Sequence, residues 1–316
     1  MAKYVSLACP NCHLELQQKD NSLLCFHCDV KWQIRNGIPD FLDENIFYGP
    51  ISRTELKEIN QKISKRDWKD ILLNHPSKQV KKAAFSMINP DRANWRLFLP
   101  LTRESVVLEV GARSGAVSHI MALSYGHVFA IEPVWEYAEF MSHRFKQEKI
   151  SNITVIRSNA HQIPVPYHTI DLAVFNDDIM SSGREISQIL KKRFLKIFAQ
   201  IHRCISTGGF ICLLVRNRWT PQNIVDRNND TLSAKGYKNV LEKSGFFNIE
   251  TFGILPESSN PKFIVPVQDN TFSYLDECFD LQQRTFVSRF KRRIFHVLCI
   301  DKYVVPSLCI FGQKLS

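Results

Sequence analysis

From Val106 onward the chain alternates short apolar segments with longer amphipathic ones, and this alternation narrows the fold more than any other feature. Residues 106–110 (Val-Val-Leu-Glu-Val) read as a strand, Gly111-Ala112-Arg113-Ser114-Gly115 as a loop, and the following residues to 125 as a helix. Further strands are expected at 128–131, 153–156, 170–175 and 210–215, with helices over 134–147 and 185–206. Strands separated by helices imply a parallel sheet covered on both faces, hence an α/β fold. Ligands of such sheets sit beyond the carboxyl ends of the strands, where the first loop needs glycine for close backbone approach. A dinucleotide fingerprint would read G-x-G-x-x-G; here the spacing is Glu109-x-Gly111-x-Arg113-x-Gly115, which lacks that pattern.

The amino-terminal residues carry a second constraint. Cys9-x-x-Cys12 and Cys25-x-x-Cys28 are two knuckles separated by twelve residues. Two residues between thiolates allow both to face one ion, and two such knuckles complete a closed tetrahedral set suited to structural zinc. A segment this short buries too little surface to fold alone, so metal binding would supply the missing stability. His13 and His27 lie beside the knuckles, but four thiolates need neither. The chain has nine cysteines, and the other five are scattered among apolar neighbours. That distribution fits a metal site in a reducing compartment better than a disulfide framework. With no apolar leader before the first knuckle, the expected location is cytoplasmic. No run approaches the roughly 20 residues of a membrane span.

Residues 1–43 are therefore expected to be a zinc ribbon and 44–90 a helical connector. In the connector Leu56, Ile59 and Ile63 have helical spacing, as do Val80, Ala83, Ala84, Met87 and Ile88 beyond Pro76. Those helices are expected to pack on the following domain, with a substrate-gating lid as the alternative. Asp91 is a candidate cap for a further helix bearing Trp95, Phe98 and Leu99. The larger domain, 91–316, also holds 245–250 and 307–311 as strand candidates. Between them 255–302 is too long for a hairpin loop. This insertion carries a basic patch: Arg284, Arg289, Lys291, Arg292 and Arg293.

Several phrases resemble known families. Residues 5–43, closing on Trp32-Gln33-Ile34-Arg35-Asn36-Gly37-Ile38-Pro39-Asp40-Phe41-Leu42, resemble the Trm112-like zinc ribbons, which activate or precede methyltransferases. The loop at 109–115 is similar to the first motif of class I S-adenosylmethionine-dependent methyltransferases, [D/E]-x-G-x-G-x-G, from which Arg113 departs. Residues 157–164 resemble that family's "GDAxxLP" segment with Asn159 in place of aspartate, 170–176 its fourth strand, and 202–210 its turn into strand five. The resemblance implies a Rossmann-like sheet with an antiparallel last strand, and S-adenosyl-L-methionine as cofactor. It implies cofactor contacts at Glu109, Gly111, Ala112, Gly115, Glu132 (on the ribose), Asn159 and Ala160 (at the adenine), and Asn176. The proton acceptor is expected at the end of strand four or nearby, which makes Asp177, Asp178 and His161 the candidates.

The acceptor is less constrained. The overall layout is similar to methyltransferases of bacterial surface-polysaccharide and glycan pathways, which implies O-methylation of a sugar or glycan-linked small molecule. A formal charge of +10 leaves an RNA acceptor as the alternative. The excess is dispersed, however, and no run interleaves aromatic with basic residues as a single-strand track would. A degenerate, non-catalytic binding module is the third reading, raised by Arg113 and Asn159. Oligomeric state is left open.

Overall fold

The computed structural model describes residues 6–176, 187–218, 231–267 and 305–315. The ribbon is a four-stranded antiparallel sheet in the order β1 (Gln17–Lys19), β2 (Ser22–Cys25), β3 (Val30–Arg35), β4 (Ile38–Asp40). The connector folds into α1 (Arg53–Ile63), α2 (Trp68–Leu73) and α3 (Lys78–Ile88). α1 begins with a capping box, Ser52 accepting from the Glu55 N–H while the Glu55 carboxylate accepts from the Ser52 N–H. Its apolar stripe, Leu56, Ile59 and Ile63, packs with Trp68, Leu72, Val80 and Ala84 against Val134, Tyr137 and Phe140 of the larger domain. The next helix, Pro90–Phe98, is 3₁₀, and its cap is Asn89 rather than Asp91, because Asn89 Oδ1 accepts the Asp91 N–H at 3.0 Å. Proline at its first position has no N–H to satisfy, which favours a helix start there.

The larger domain contains β5 (Val106–Val110), α4 (Ala116–Ser124), β6 (His127–Ile131), α5 (Trp135–Gln147), β7 (Ile153–Ile156), β8 (Ile170–Asn176), α6 (Ser187–Cys204), β9 (Ile205–Arg216), α7 (Ala234–Lys243), β10 (Phe247–Leu255), β11 (Phe263–Pro266) and β12 (Ser307–Gln313). Its sheet runs β11-β10-β12-β9-β8-β5-β6-β7. β9, β8, β5, β6 and β7 are parallel, and β12 inserts antiparallel between β9 and β10. This is the expected α/β class: a mostly parallel Rossmann-like sheet with an antiparallel final strand. Within the expected insertion at 255–302, residues 263–266 form β11 in a hairpin with β10. The basic patch at 284–293 lies outside the described residues.

Side chains alternate across the sheet. Val107, Val128, Leu172, Val174, Cys212 and Phe311 pack with Trp95 and α4 on one face. Leu108, Val110, Ile131, Phe175, Leu213 and Ile310 pack on the other with Phe194, Phe198 and Ile201 of α6 and Tyr237 and Leu241 of α7. The β7-to-β8 connection, residues 157–169, contains no helix. The ribbon takes the helix's place on that face. Cys9, Leu16, Leu23 and Phe41 join the cluster containing Ile156, Ala160 and Ile163, and Ala8 N–H donates to Pro164 O at 3.0 Å.

The ribbon is also stitched to the sheet edge. Arg157 N–H donates to Pro39 O and Phe41 N–H to Arg157 O, both at 2.9 Å, so β4 continues the sheet beyond β7. The buried Arg157 guanidinium pairs with Asp40 Oδ1 at 2.8 Å and donates to Leu42 O at 2.6 Å, Pro133 O at 3.2 Å and Glu44 O.

Candidate functional site

The residues after β5 form a constrained loop at the carboxyl edge of the parallel strands. Gly111 has φ +87°, Arg113 +48° and Gly115 +72°. Gly115 is required on two counts: its φ is left-handed, and a Cβ there would lie 2.5 Å from the Phe145 ring and 3.0 Å from Met141 Sδ. Arg113, where the family motif has glycine, carries the same left-handed backbone with a side chain attached.

Neighbouring elements hold this loop by its backbone. Gly111 and Ala112 N–H groups donate to Ile131 O at 2.9 and 3.0 Å. Asn176 Nδ2 donates to Glu109 Oε1 at 2.6 Å and to Gly111 O at 3.4 Å. The buried Arg144 donates to Ser114 O at 3.1 Å and is stacked over the Trp68 ring at 4.3 Å, so a connector residue braces the loop through α5. Nothing in the sequence patterns singled out Arg144 or Trp68, because the link exists only once α2 packs on α5.

Glu132 ends β6, as expected, but its carboxylate is fully buried. Oε2 accepts the Arg113 N–H at 2.8 Å and Oε1 the Val134 N–H at 2.9 Å. Burial pushes this carboxyl up from 4.5 to about 7, against the lowering effect of the two backbone donors. Glu109 is pushed by burial to about 7 as well, although Ser118 Oγ donates to it and Arg92 and Asn176 also favour its charged form.

A cavity of about 640 Å³ opens against the loop, within the range typical of small-molecule sites. Its walls are Glu109 and Gly111–Ser114 on one side and α3 on another, with Asn176, Arg216 and Ser307 at the strand ends. Of the expected cofactor residues, Glu109, Gly111, Ala112 and Asn176 line it, while Gly115, Glu132, Asn159 and Ala160 do not. Asn159 Oδ1 instead accepts the His161 N–H at 2.9 Å, closing a local turn. His161 is exposed and is not among the described residues that line the cavity. Asp177 and Asp178 lie outside the described residues.

The four ribbon cysteines converge, with all four Sγ atoms within 4.8 Å of one another. Cys12 and Cys25 sulfurs are 3.4 Å apart and those of Cys9 and Cys28 3.9 Å. Zn–S bonds of about 2.3 Å would place tetrahedral sulfurs about 3.8 Å apart, so the set fits that ion. Among the described residues no helix is long and apolar enough to cross a membrane.

Comparison with known proteins finds similarity over part of the chain. Residues 107–209 match the family profile described as "Methyltransferase domain". The part that matches runs from β5 to the start of β9 and includes the 109–115 loop. No curated protein sequence matches the chain. Among solved structures, the geranyl diphosphate C-methyltransferase of Streptomyces coelicolor is similar with a TM-score of 0.50 at 11% identity, over 84% of this chain and all of that one. The phosphoethanolamine N-methyltransferase 2 of Haemonchus contortus is similar with a TM-score of 0.49 at 15% identity, over 78% of this chain. The match spans 60% of that nematode chain's length.

Proposed function

We propose that this protein binds S-adenosyl-L-methionine at the 109–115 loop and transfers its methyl group to a hydroxyl oxygen of a small, sugar-type acceptor. The observation that carries the reading is the cavity itself: it opens on the left-handed loop at the carboxyl ends of β5, β8 and β9, where ligands of such sheets bind. Glu109, Gly111, Ala112 and Asn176 would hold the cofactor from the cavity wall. When bound, the cofactor supplies an electrophilic methyl group on a sulfonium. The chain's own contribution is positioning, since in-line displacement rewards alignment of the reacting atoms. Asn176 and Arg144 fix the loop's carbonyls, and Glu132 fixes Arg113 in its left-handed turn. Ribose contact by Glu132 would require its buried carboxylate, which already accepts the Arg113 and Val134 N–H groups, to become accessible. A hydroxyl acceptor also needs a proton acceptor. Asp177 remains the proposed residue, and Glu257 is a carboxylate of the cavity wall open to the same role.

The ribbon is proposed to hold one structural zinc through Cys9, Cys12, Cys25 and Cys28. All four positions are thiolates, leaving no open site for catalysis. Its part in the function is to support the sheet edge beside the cofactor loop.

Calorimetry with S-adenosylmethionine tests the reading. Stoichiometric binding is expected in the wild type. Glu132→Ala should weaken it by at least about 1.5 kcal/mol, since the Arg113 N–H loses a charge-assisted partner. No binding, or an unchanged constant in the variant, would overturn the assignment. Steeply salt-dependent binding of RNA, with methyl transfer to it, would replace the sugar-type acceptor by a nucleic acid.

A further inference from the structure

Glu148, directly after α5, joins three helices around the 109–115 loop. Its Oε1 accepts the Trp68 indole N–H at 3.2 Å, which ties it to α2 of the connector. Its Oε2 accepts the Arg144 Nε–H at 3.2 Å and lies 3.3 Å from His119 Nε2. His119 stands one turn into α4, where its own N–H donates to Gly115 O at 2.9 Å. One carboxylate therefore contacts the helix that leads away from the loop, the helix that braces it and the connector behind both.

Arg144 depends on this carboxylate. Its side chain is 3% exposed, and a buried guanidinium without an anionic partner is strongly unfavourable. Burial pulls the guanidinium down from its ordinary value, and Glu148 opposes this most strongly. The Trp68 ring, 4.3 Å from the guanidinium carbon, adds a cation–π contact. Held in this way, the planar fork reaches in two directions, Nε toward Glu148 and Nη1 toward Ser114 O at 3.1 Å. Ser114 is buried, lines the cavity, and stands in the chain between Arg113 and Gly115, both left-handed. Among the described residues neither Arg144 nor Glu148 lines the cavity, so their influence on a bound cofactor passes through the loop.

We propose that Glu148 is a positioning residue for the cofactor: it holds Arg144 on Ser114 O, and through Arg144 it fixes the loop that forms the cavity wall. The inference rests on the methyl-transfer reading above and names what aligns its cofactor loop. Without the Glu148 charge the guanidinium turns toward water, and the buried Ser114 carbonyl loses its donor. The loop then samples arrangements that do not fit the cofactor, and affinity falls by the fraction of time it spends in them. Because Trp68 touches both Glu148 and Arg144, ordering of the loop by a ligand is felt at its indole.

The test uses full-length protein titrated calorimetrically with S-adenosylhomocysteine at a temperature where every variant is folded. Wild type should bind with one-to-one stoichiometry. Glu148→Gln keeps an acceptor for the Trp68 N–H but removes the charge, and should weaken binding about tenfold. Arg144→Lys, a point charge that cannot fork between Glu148 and Ser114, should do the same. In the double variant the loss should stay near about tenfold rather than reach about a hundredfold, because both changes break one link. Gln147→Ala removes the neighbouring contacts to the Trp68 N–H, Ile63 O and Arg66 O and leaves Arg144 untouched. It should lower the urea midpoint yet hold affinity within about threefold, which separates docking of the connector from positioning of the loop. Tryptophan fluorescence should respond to S-adenosylhomocysteine, and at saturation the response should shrink in both Trp68→Phe and Glu148→Gln. The Glu148 side chain is 15% exposed, so Glu148→Gln keeps the test sound if Arg144→Lys perturbs folding. Failure of wild type to bind S-adenosylhomocysteine would overturn the methyl-transfer reading, and this inference with it. Wild-type binding with unchanged affinity in Glu148→Gln, full additivity in the double variant, or an equal fluorescence response in wild type and Glu148→Gln would each overturn this inference alone.

Discussion

Arg113 and Glu109 show how single residues at the loop carry energetic consequences. Arg113 has φ +48°, a backbone that costs a side-chain-bearing residue about 1–2 kcal/mol, partly offset because glycine would lose about 0.5–1 kcal/mol more entropy on folding. Arg113→Gly should therefore stabilise the protein by up to about 1 kcal/mol, read as a higher urea midpoint at unchanged slope. A lower midpoint would mean that the guanidinium contributes more than the turn costs. Glu109 and Glu132 both have folded-state values near 7, above the ordinary 4.5. The folded chain then binds more protons than the unfolded one between those values. The stability these groups contribute is full below pH 4.5 and is lost as pH rises through 7. Melting of the cofactor-free protein should consequently show a decline from pH 5 to 8 that is shallower in Glu109→Gln. Parallel pH profiles for the two proteins would refute the burial argument.

At the scale of elements, the junction of β4 with β7 joins the ribbon to the edge of the large sheet. Asp40 and Arg157 form a buried pair at 2.8 Å, and the exposed Arg35 shares Asp40. Asp40→Ala would leave the Arg157 charge buried with carbonyl partners alone, at an expected loss of about 3 kcal/mol in chemical denaturation. An effect under 0.5 kcal/mol would show that the carbonyls suffice. The zinc proposal belongs to this scale too. Elemental analysis should give about one zinc per chain, and chelation should raise amide hydrogen exchange at Phe41 and Arg157, whose N–H groups join β4 to β7. Exchange there that ignores the metal would separate the ribbon's folding from the sheet edge.

Across the whole molecule, the ribbon stands in for a crossover helix. A parallel sheet needs both faces covered, and the helix-free connection at 157–169 would leave Ile156, Ala160 and Ile163 without their cover of Leu16, Leu23 and Phe41. A chain lacking residues 1–43 is expected to bind a hydrophobic dye such as ANS strongly and to aggregate. A soluble, non-binding truncation would mean that the domain closes this face by itself. The cavity likewise exists only in the assembled chain, because its walls come from the connector, the β5 loop, two central strands and the β10–β11 turn.

Much of this was written in local sequence. The period of apolar residues located β5, β6, β7, β8 and β9, and the CxxC spacing located the thiolate cluster, because both signals act between residues close along the chain. The loop at 109–115 and the carboxylate at Glu132 were legible for the same reason. Sequence could not tell that Glu132 would close on Arg113 or that Asn159 would accept the His161 N–H in a local turn. Nor could it show which side of α3 meets the cavity, where Lys78 and Lys82 stand. Those outcomes depend on contacts between segments far apart in the chain, such as Arg144 with Ser114 and Trp68, or Arg157 with Asp40. Local chemistry chose the elements, and long-range packing decided which of their polar groups are spent on one another and which line the cavity.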